Sequence, residues 1–298
     1  MTANAQCDTE AVTALYNKFL TDHKGTPEQR KAASETAKEY LSKFGECPTD
    51  AEKKIAAFVK GWQSRFEAEL IESSCTNAVD KTPAQAFQLC QPYLAKDREN
   101  LRAYLLLSHA GFKSARGADQ SAKAETVKAA RKALELIKSG KSVDRWILAD
   151  NKDETAGTLE FYSASLTADT TPVETAASMR NLARSSTSYS KDPTTYLYLG
   201  GSLYASEAKK LIEDYKQTCI GKDGTPECNA ASAKIDAAID RVIDAYARAV
   251  ALSAGKPEFA RVAAAAKPAL TDLYRERHEN SETGLDKFIA EVLSKPIP

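Results

Sequence analysis

A threonine or aspartate stands directly before proline at Thr26-Pro27, Thr82-Pro83, Thr171-Pro172 and Asp192-Pro193. An oxygen side chain in that position accepts from the unpaired amides that open a helix. Proline at the first helical position gives up an N–H that would have had no partner. Each pair therefore predicts a helix start. Behind the starts, apolar residues recur with a 3.6-residue period: Val12, Leu15, Tyr16, Phe19 and Leu20 form one stripe, and Ile55, Phe58, Val59, Trp62, Phe66 and Leu70 another. The second helix runs to about Phe44, where Gly45 and Pro48 stop it, and the third begins near Asp50. Further starts are expected at Asn100, Ser121, Asp153, Asn229, Lys256-Pro257 and Glu282. The expectation is an all-α chain of about a dozen helices, paired by short polar turns into antiparallel hairpins. Alanine, the best helix former, is the commonest residue at 50 of 298, and 13 Gly with 11 Pro are too few for an all-β protein.

Lys+Arg and Asp+Glu are balanced at 41 each, so no basic field draws the chain to nucleic acid or to an anionic lipid surface. Every alanine-rich stretch is broken by a charge well short of the ~18 apolar residues of a membrane span, so no span is expected.

The six cysteines fall into three local pairs, Cys7 with Cys47, Cys75 with Cys90, and Cys219 with Cys228. No CxxC occurs, and His23, His109 and His278 lie far from the cysteines, so neither a metal nor an organic cofactor is expected. Disulfides are the better reading, because each pair brackets one hairpin or one loop, although six cysteines allow 15 connectivities. The segment from Cys219 to Cys228 carries Gly221, Asp223, Gly224 and Pro226, a loop between helical runs whose base a bridge would pinch. Disulfides imply an oxidising compartment, periplasmic or extracellular. Ala3-Asn4-Ala5 has the small-x-small pattern that precedes signal-peptidase cleavage, so residues 1–6 are expected to be residual leader or disordered.

Asp97-Arg98-Glu99-Asn100 followed by Tyr104, Leu107, Ser108 and Gly111, then by Ala130, Ala133, Leu134 and Leu136, resembles a tetratricopeptide repeat with extra residues in the Ser114 to Ser121 turn. Asp192-Pro193, Tyr196, Leu199, Gly200 and Tyr204 resemble a first repeat helix, and Ala245 to Leu252, closing with Gly255 and Pro257, the matching second helix. The overall layout is also similar to exported bacterial repeat proteins. The resemblance implies a right-handed α-solenoid of degenerate repeats over residues 7–298, with sub-blocks 7–150 and 151–298, in which small residues let the helices of a hairpin approach.

Signatures of catalysis are missing. Gly140-Lys141-Ser142 resembles the end of a phosphate loop, but no earlier glycine and no leading strand accompany it, and it reads as a helix end. No Gly-x-Ser-x-Gly and no His-Glu-x-x-His occurs. Asp236, Asp240 and Asp244 recur four residues apart on one helix, a solvated face offset by Lys234 and Arg241 rather than a calcium or acid–base site. His278 and His23 read as helix-end residues. His109, beside Leu105-Leu106-Leu107, reads as a groove or interior residue; with Tyr104 and Trp146 it makes the candidate groove. The run from Ser185 to Ser190 reads as a helix end and polar turn.

The expected function is a non-enzymatic, exported scaffold acting through protein–protein contacts, since stacked hairpins leave a continuous binding surface. Its partner is a foreign protein or copies of itself stacked end to end as a filament, the latter through an apolar stripe of Leu285, Phe288, Ile289, Val292, Leu293 and Ile297 near the C-terminus; the simpler reading of that stripe is packing on its own penultimate helix. The alternatives are a periplasmic adaptor or a helical toroid that binds carbohydrate or another small molecule, with an enzyme expected least.

Overall fold

The computed structural model describes residues 7–115, 121–222 and 224–297. The expected leader at 1–6, most of the Ser114 to Ser121 turn, Asp223 and Pro298 lie outside the described residues. Among the described residues the chain forms thirteen α-helices and no strand. They are α1 (Thr9–Asp22), α2 (Pro27–Phe44), α3 (Asp50–Lys81), α4 (Pro83–Lys96), α5 (Leu101–Ala115), α6 (Lys123–Lys138) and α7 (Lys152–Thr167). There follow α8 (Pro172–Arg184), α9 (Pro193–Leu203), α10 (Lys209–Thr218), α11 (Pro226–Ser253), α12 (Ala260–Arg277) and α13 (Leu285–Glu291). The fold class is an all-α solenoid, in which helices that follow one another in sequence pack on one another.

Oxygen caps set several of these starts, although Thr171, expected to cap α8, makes no cap bond and donates its hydroxyl to the Thr167 carbonyl at 3.3 Å instead. Thr26 accepts from the amide of Gln29, whose own side chain returns a bond to the Thr26 amide, and Thr49 makes the same reciprocal box with Glu52. Asp192 accepts from the Thr194 amide at 2.8 Å. Three starts differ from expectation. Thr225 caps through the Cys228 amide, so α11 opens at Pro226 rather than Asn229 and takes Cys228 into its first turn. A 3₁₀ turn at Pro257–Phe259 delays α12 to Ala260. The last helix opens at Leu285, not Glu282, because Gly284 at φ 91° turns the chain just before it.

The chain forms two compact units. The first comprises the described residues up to Ala78 together with Gln88–Arg98. Its core is Phe19, Tyr40, Val59, Trp62 and Phe66, with Trp62 stacked on Phe66 at 5.1 Å and donating its indole N–H to the His23 carbonyl at 3.2 Å. Cys7–Cys47 and Cys75–Cys90 are bonded within it.

The second unit comprises Val79–Phe87 and the described residues from Glu99 onward. Contacts run from α5 to α6, α6 to α7, α7 to α8, α8 to α9, α9 to α11 and α11 to α12. Small residues occupy the crossings: Gly111 of α5 faces the Thr126 side chain of α6, and Gly200 of α9 faces the Tyr246 ring of α11. The interior carries Met179, Leu182, Leu199, Leu203, Val242 and Leu270, all essentially inaccessible. Between α9 and α10 the chain makes a π-helical turn at Tyr204–Ala208, and Cys219–Cys228 closes the loop from α10 to α11. No helix among the described residues is long and apolar enough to cross a membrane.

Candidate functional site: an aromatic groove in the second unit

In the second unit a half-open groove of about 770 Å³ lies between α5, α7, the start of α9 and the start of α12. Its floor is aromatic. Phe112 of α5 stacks on Tyr162 of α7 with ring centroids 3.8 Å apart, and Phe161 stacks on Tyr189 at 5.0 Å and meets Tyr198 of α9 edge-on at 5.9 Å. Phe259 completes the lining, with the Lys256 ammonium 5.8 Å above its ring. The rim is charged: Asp169, Asp192 and Glu258 oppose Lys123 and Arg261, and only Lys123 and Asp169 approach each other, at 4.0 Å.

Local structure holds the floor. The Glu154 carboxylate accepts from the Ser188 amide and hydroxyl, both at 2.8 Å, and fixes a 3₁₀ turn at Ser188–Lys191 that carries Tyr189. Tyr189 then donates its hydroxyl to Thr158 at 3.2 Å, and burial raises its pKa above the ordinary phenol value. The run from Ser185 to Ser190 is thus a helix end and turn as expected, and it also positions the groove.

His109, half-buried, has Nδ1 3.3 Å from the Tyr162 hydroxyl and stands behind the floor. Burial, reinforced by the Lys113 cation, lowers its pKa from the ordinary imidazole value. Tyr104 and Trp146 are elsewhere, packed against Leu101, Leu105 and Leu136, so the expected trio is not brought together in the groove. Phe161, Tyr189, Tyr198 and Phe259 come from four separate segments whose convergence no local spacing in the sequence announces.

Asp236 and Asp240 lie on a solvated face, whereas Asp244 is largely buried against Arg248, and the cations that offset the row are not the expected ones. Arg277 of α12 takes Asp240 at 2.9 Å and Asp236 at 3.3 Å, Arg248 takes Asp244 at 2.6 Å, and Arg241 turns instead to Glu207 at 2.7 Å. Gly140 at φ 92° ends α6, with the Lys141 amide bonded back to the Leu136 carbonyl at 2.9 Å. His278 lies tilted against Tyr274, ring centroids 4.0 Å apart, just past the end of α12, and His23 stacks on Phe19 at the end of α1. No group of three or more His, Cys, Asp or Glu side chains among the described residues is placed to hold a metal ion.

The C-terminal stripe is not a free face. Leu285 and Val292 are buried, Phe288, Ile289 and Ile297 pack on the core of their own unit, and Leu293 alone of the six is exposed, at 47%. The physical reason is Arg248, whose guanidinium donates to the carbonyls of Lys295 and Pro296, both at 2.9 Å, while Arg184 donates to that of Ile297 at 3.1 Å. These bonds strap the tail down. Comparison with protein-family models, with curated proteins and with solved structures finds no match to this chain.

Proposed function

We propose that the chain is a non-enzymatic, exported scaffold of the tetratricopeptide-like kind, and that its second unit takes an extended segment of a partner protein in the aromatic groove. The observation that carries this reading is the groove itself, an apolar floor under a rim of both charge signs, the design of a site that anchors one or two apolar side chains and orients the segment by charge. Ring stacking favours a peptide over a carbohydrate. Phe112 and Tyr162 each give a face to the other, as do Phe161 and Tyr189, and the Tyr189 hydroxyl is spent on Thr158. A sugar needs free ring faces and free hydroxyls; an aliphatic or aromatic side chain packs against ring edges as well. Asp192 and Glu258 suit a Lys or Arg beside the apolar anchor. The three disulfides support export to an oxidising compartment. Selection from a random displayed peptide library, run beside an oligosaccharide array, tests the reading. Enrichment of large apolar residues next to Lys or Arg is expected, and retention of oligosaccharides alone would replace it.

A further inference from the structure

The tail that follows α12 packs its apolar stripe on the core of its own unit, and the polar groups that hold its last residues read only the backbone. Arg248 is 3% exposed, and its Nε is fixed by the Asp244 carboxylate at 2.6 Å, both residues lying on one helix. Its Nη2, with the Nη2 of Arg184, goes to three successive main-chain carbonyls, Lys295, Pro296 and Ile297. Asp244 thus presents a charged fork whether or not a tail is in place, and any chain ending in this sequence satisfies it equally well.

The connection to the tail has the character of a hinge. Residues 278–284 run between α12 and α13, and within them Glu279 at φ 53° and Asn280 at φ 62° are the only non-glycine residues of the described chain in the left-handed region. L-residues enter that region at a cost, which an extended connection removes. Extended, these residues span roughly 24 Å at ~3.4 Å each, enough to carry the tail off its own socket. Short connections under strain favour exchange of identical elements between copies.

We propose that Leu285–Ile297 is an exchangeable tail, and that in an assembled form it seats on the Arg248–Asp244 fork of a second copy of this chain. The contacts are those already seen within one chain, so the exchange creates no new chemistry and loses none. Passed from each copy to the next it gives an open chain of subunits; returned between two it closes a dimer. The inference is independent of what the aromatic groove binds.

The test keeps the chain intact. Protein carrying p-benzoylphenylalanine at the exposed position 293 is prepared in light and heavy isotopic forms, incubated together at high concentration, irradiated and digested. Cross-links between a light tail and heavy α11 are expected, and Arg248→Met should lower their share at least tenfold while the groove's peptide affinity is unchanged. Glu279→Pro, which forbids the positive φ, should raise the mixed share, and a Glu279→Gly, Asn280→Gly double variant, which removes the strain, should lower it. Cross-links confined to one isotope at every concentration, or a mixed share indifferent to Arg248→Met and to both hinge variants, would overturn the proposal.

Discussion

Arg248 and Pro296 are joined across nearly fifty residues by one hydrogen bond, the guanidinium Nη2 donating to the carbonyl oxygen at 2.9 Å. The bond fixes the tail to the last two turns of α11 because Asp244 has already neutralised and oriented the guanidinium from its other side. Substituting Arg248→Met leaves a nearly buried carboxylate without its cation and frees the tail carbonyls. Breaking a pair of this kind costs about 3 kcal/mol or more. Urea unfolding should show a loss of that size, and hydrogen exchange should show residues 285–297 opening well before α11.

Gly200 allows α9 to lie against α11. A Cβ there would come 2.8 Å from the Tyr246 ring. Gly200→Ala must push the helices apart, and overpacking of this sort costs roughly 1–3 kcal/mol despite alanine's better helix propensity. A midpoint that rises in thermal unfolding would show that the crossing is looser than described.

The disulfides should differ in what they contribute. Cys7–Cys47 closes a separation of 40 residues and Cys219–Cys228 one of 9. Loop-closure entropy gives about 4 kcal/mol for the first and about 3 for the second. Paired Cys→Ser variants should rank in that order, and non-reducing peptide mapping of the native protein should recover these linkages together with Cys75–Cys90.

His109 should make the second unit sensitive to mild acid. Burial lowers its folded pKa, so below the ordinary imidazole value of about 6.5 the unfolded chain binds the proton more readily than the folded one. Its contribution to stability is therefore complete above that pH and is lost as the pH falls below it. Glu160, whose pKa burial raises, acts in the opposite sense, gaining as the pH falls. His109→Gln should flatten the decline in stability just below pH 6.5, measured by urea unfolding at closely spaced pH values.

The helices were legible because their signals are local. Thr26, Asp192 and the prolines behind them act within one turn, and Gly111 and Gly200 announce crossings by their size alone. The groove was not, since Phe112, Phe161, Tyr189, Tyr198 and Phe259 meet only after α5, α7, α9 and α12 are packed. The tail shows the same limit. A stripe of Leu285, Phe288, Ile289, Val292 and Leu293 reads identically whether it packs on its own unit or on a neighbour, and only the fork at Arg248 shows where it rests. The partners of the aspartate row were likewise missed, because Arg277 reaches Asp236 and Asp240 from another helix.

The central claim, that the groove holds an extended peptide segment by apolar floor and charged rim, is tested most directly by calorimetric titration of a library-selected peptide. Wild type should bind with micromolar Kd. Tyr198→Ala should weaken binding at least tenfold through the floor. Glu258→Gln and Asp192→Asn, the latter still able to cap α9, should each weaken it several-fold and lower its salt dependence. Affinity unmoved by all three variants, or measurable only with oligosaccharides, would contradict the account.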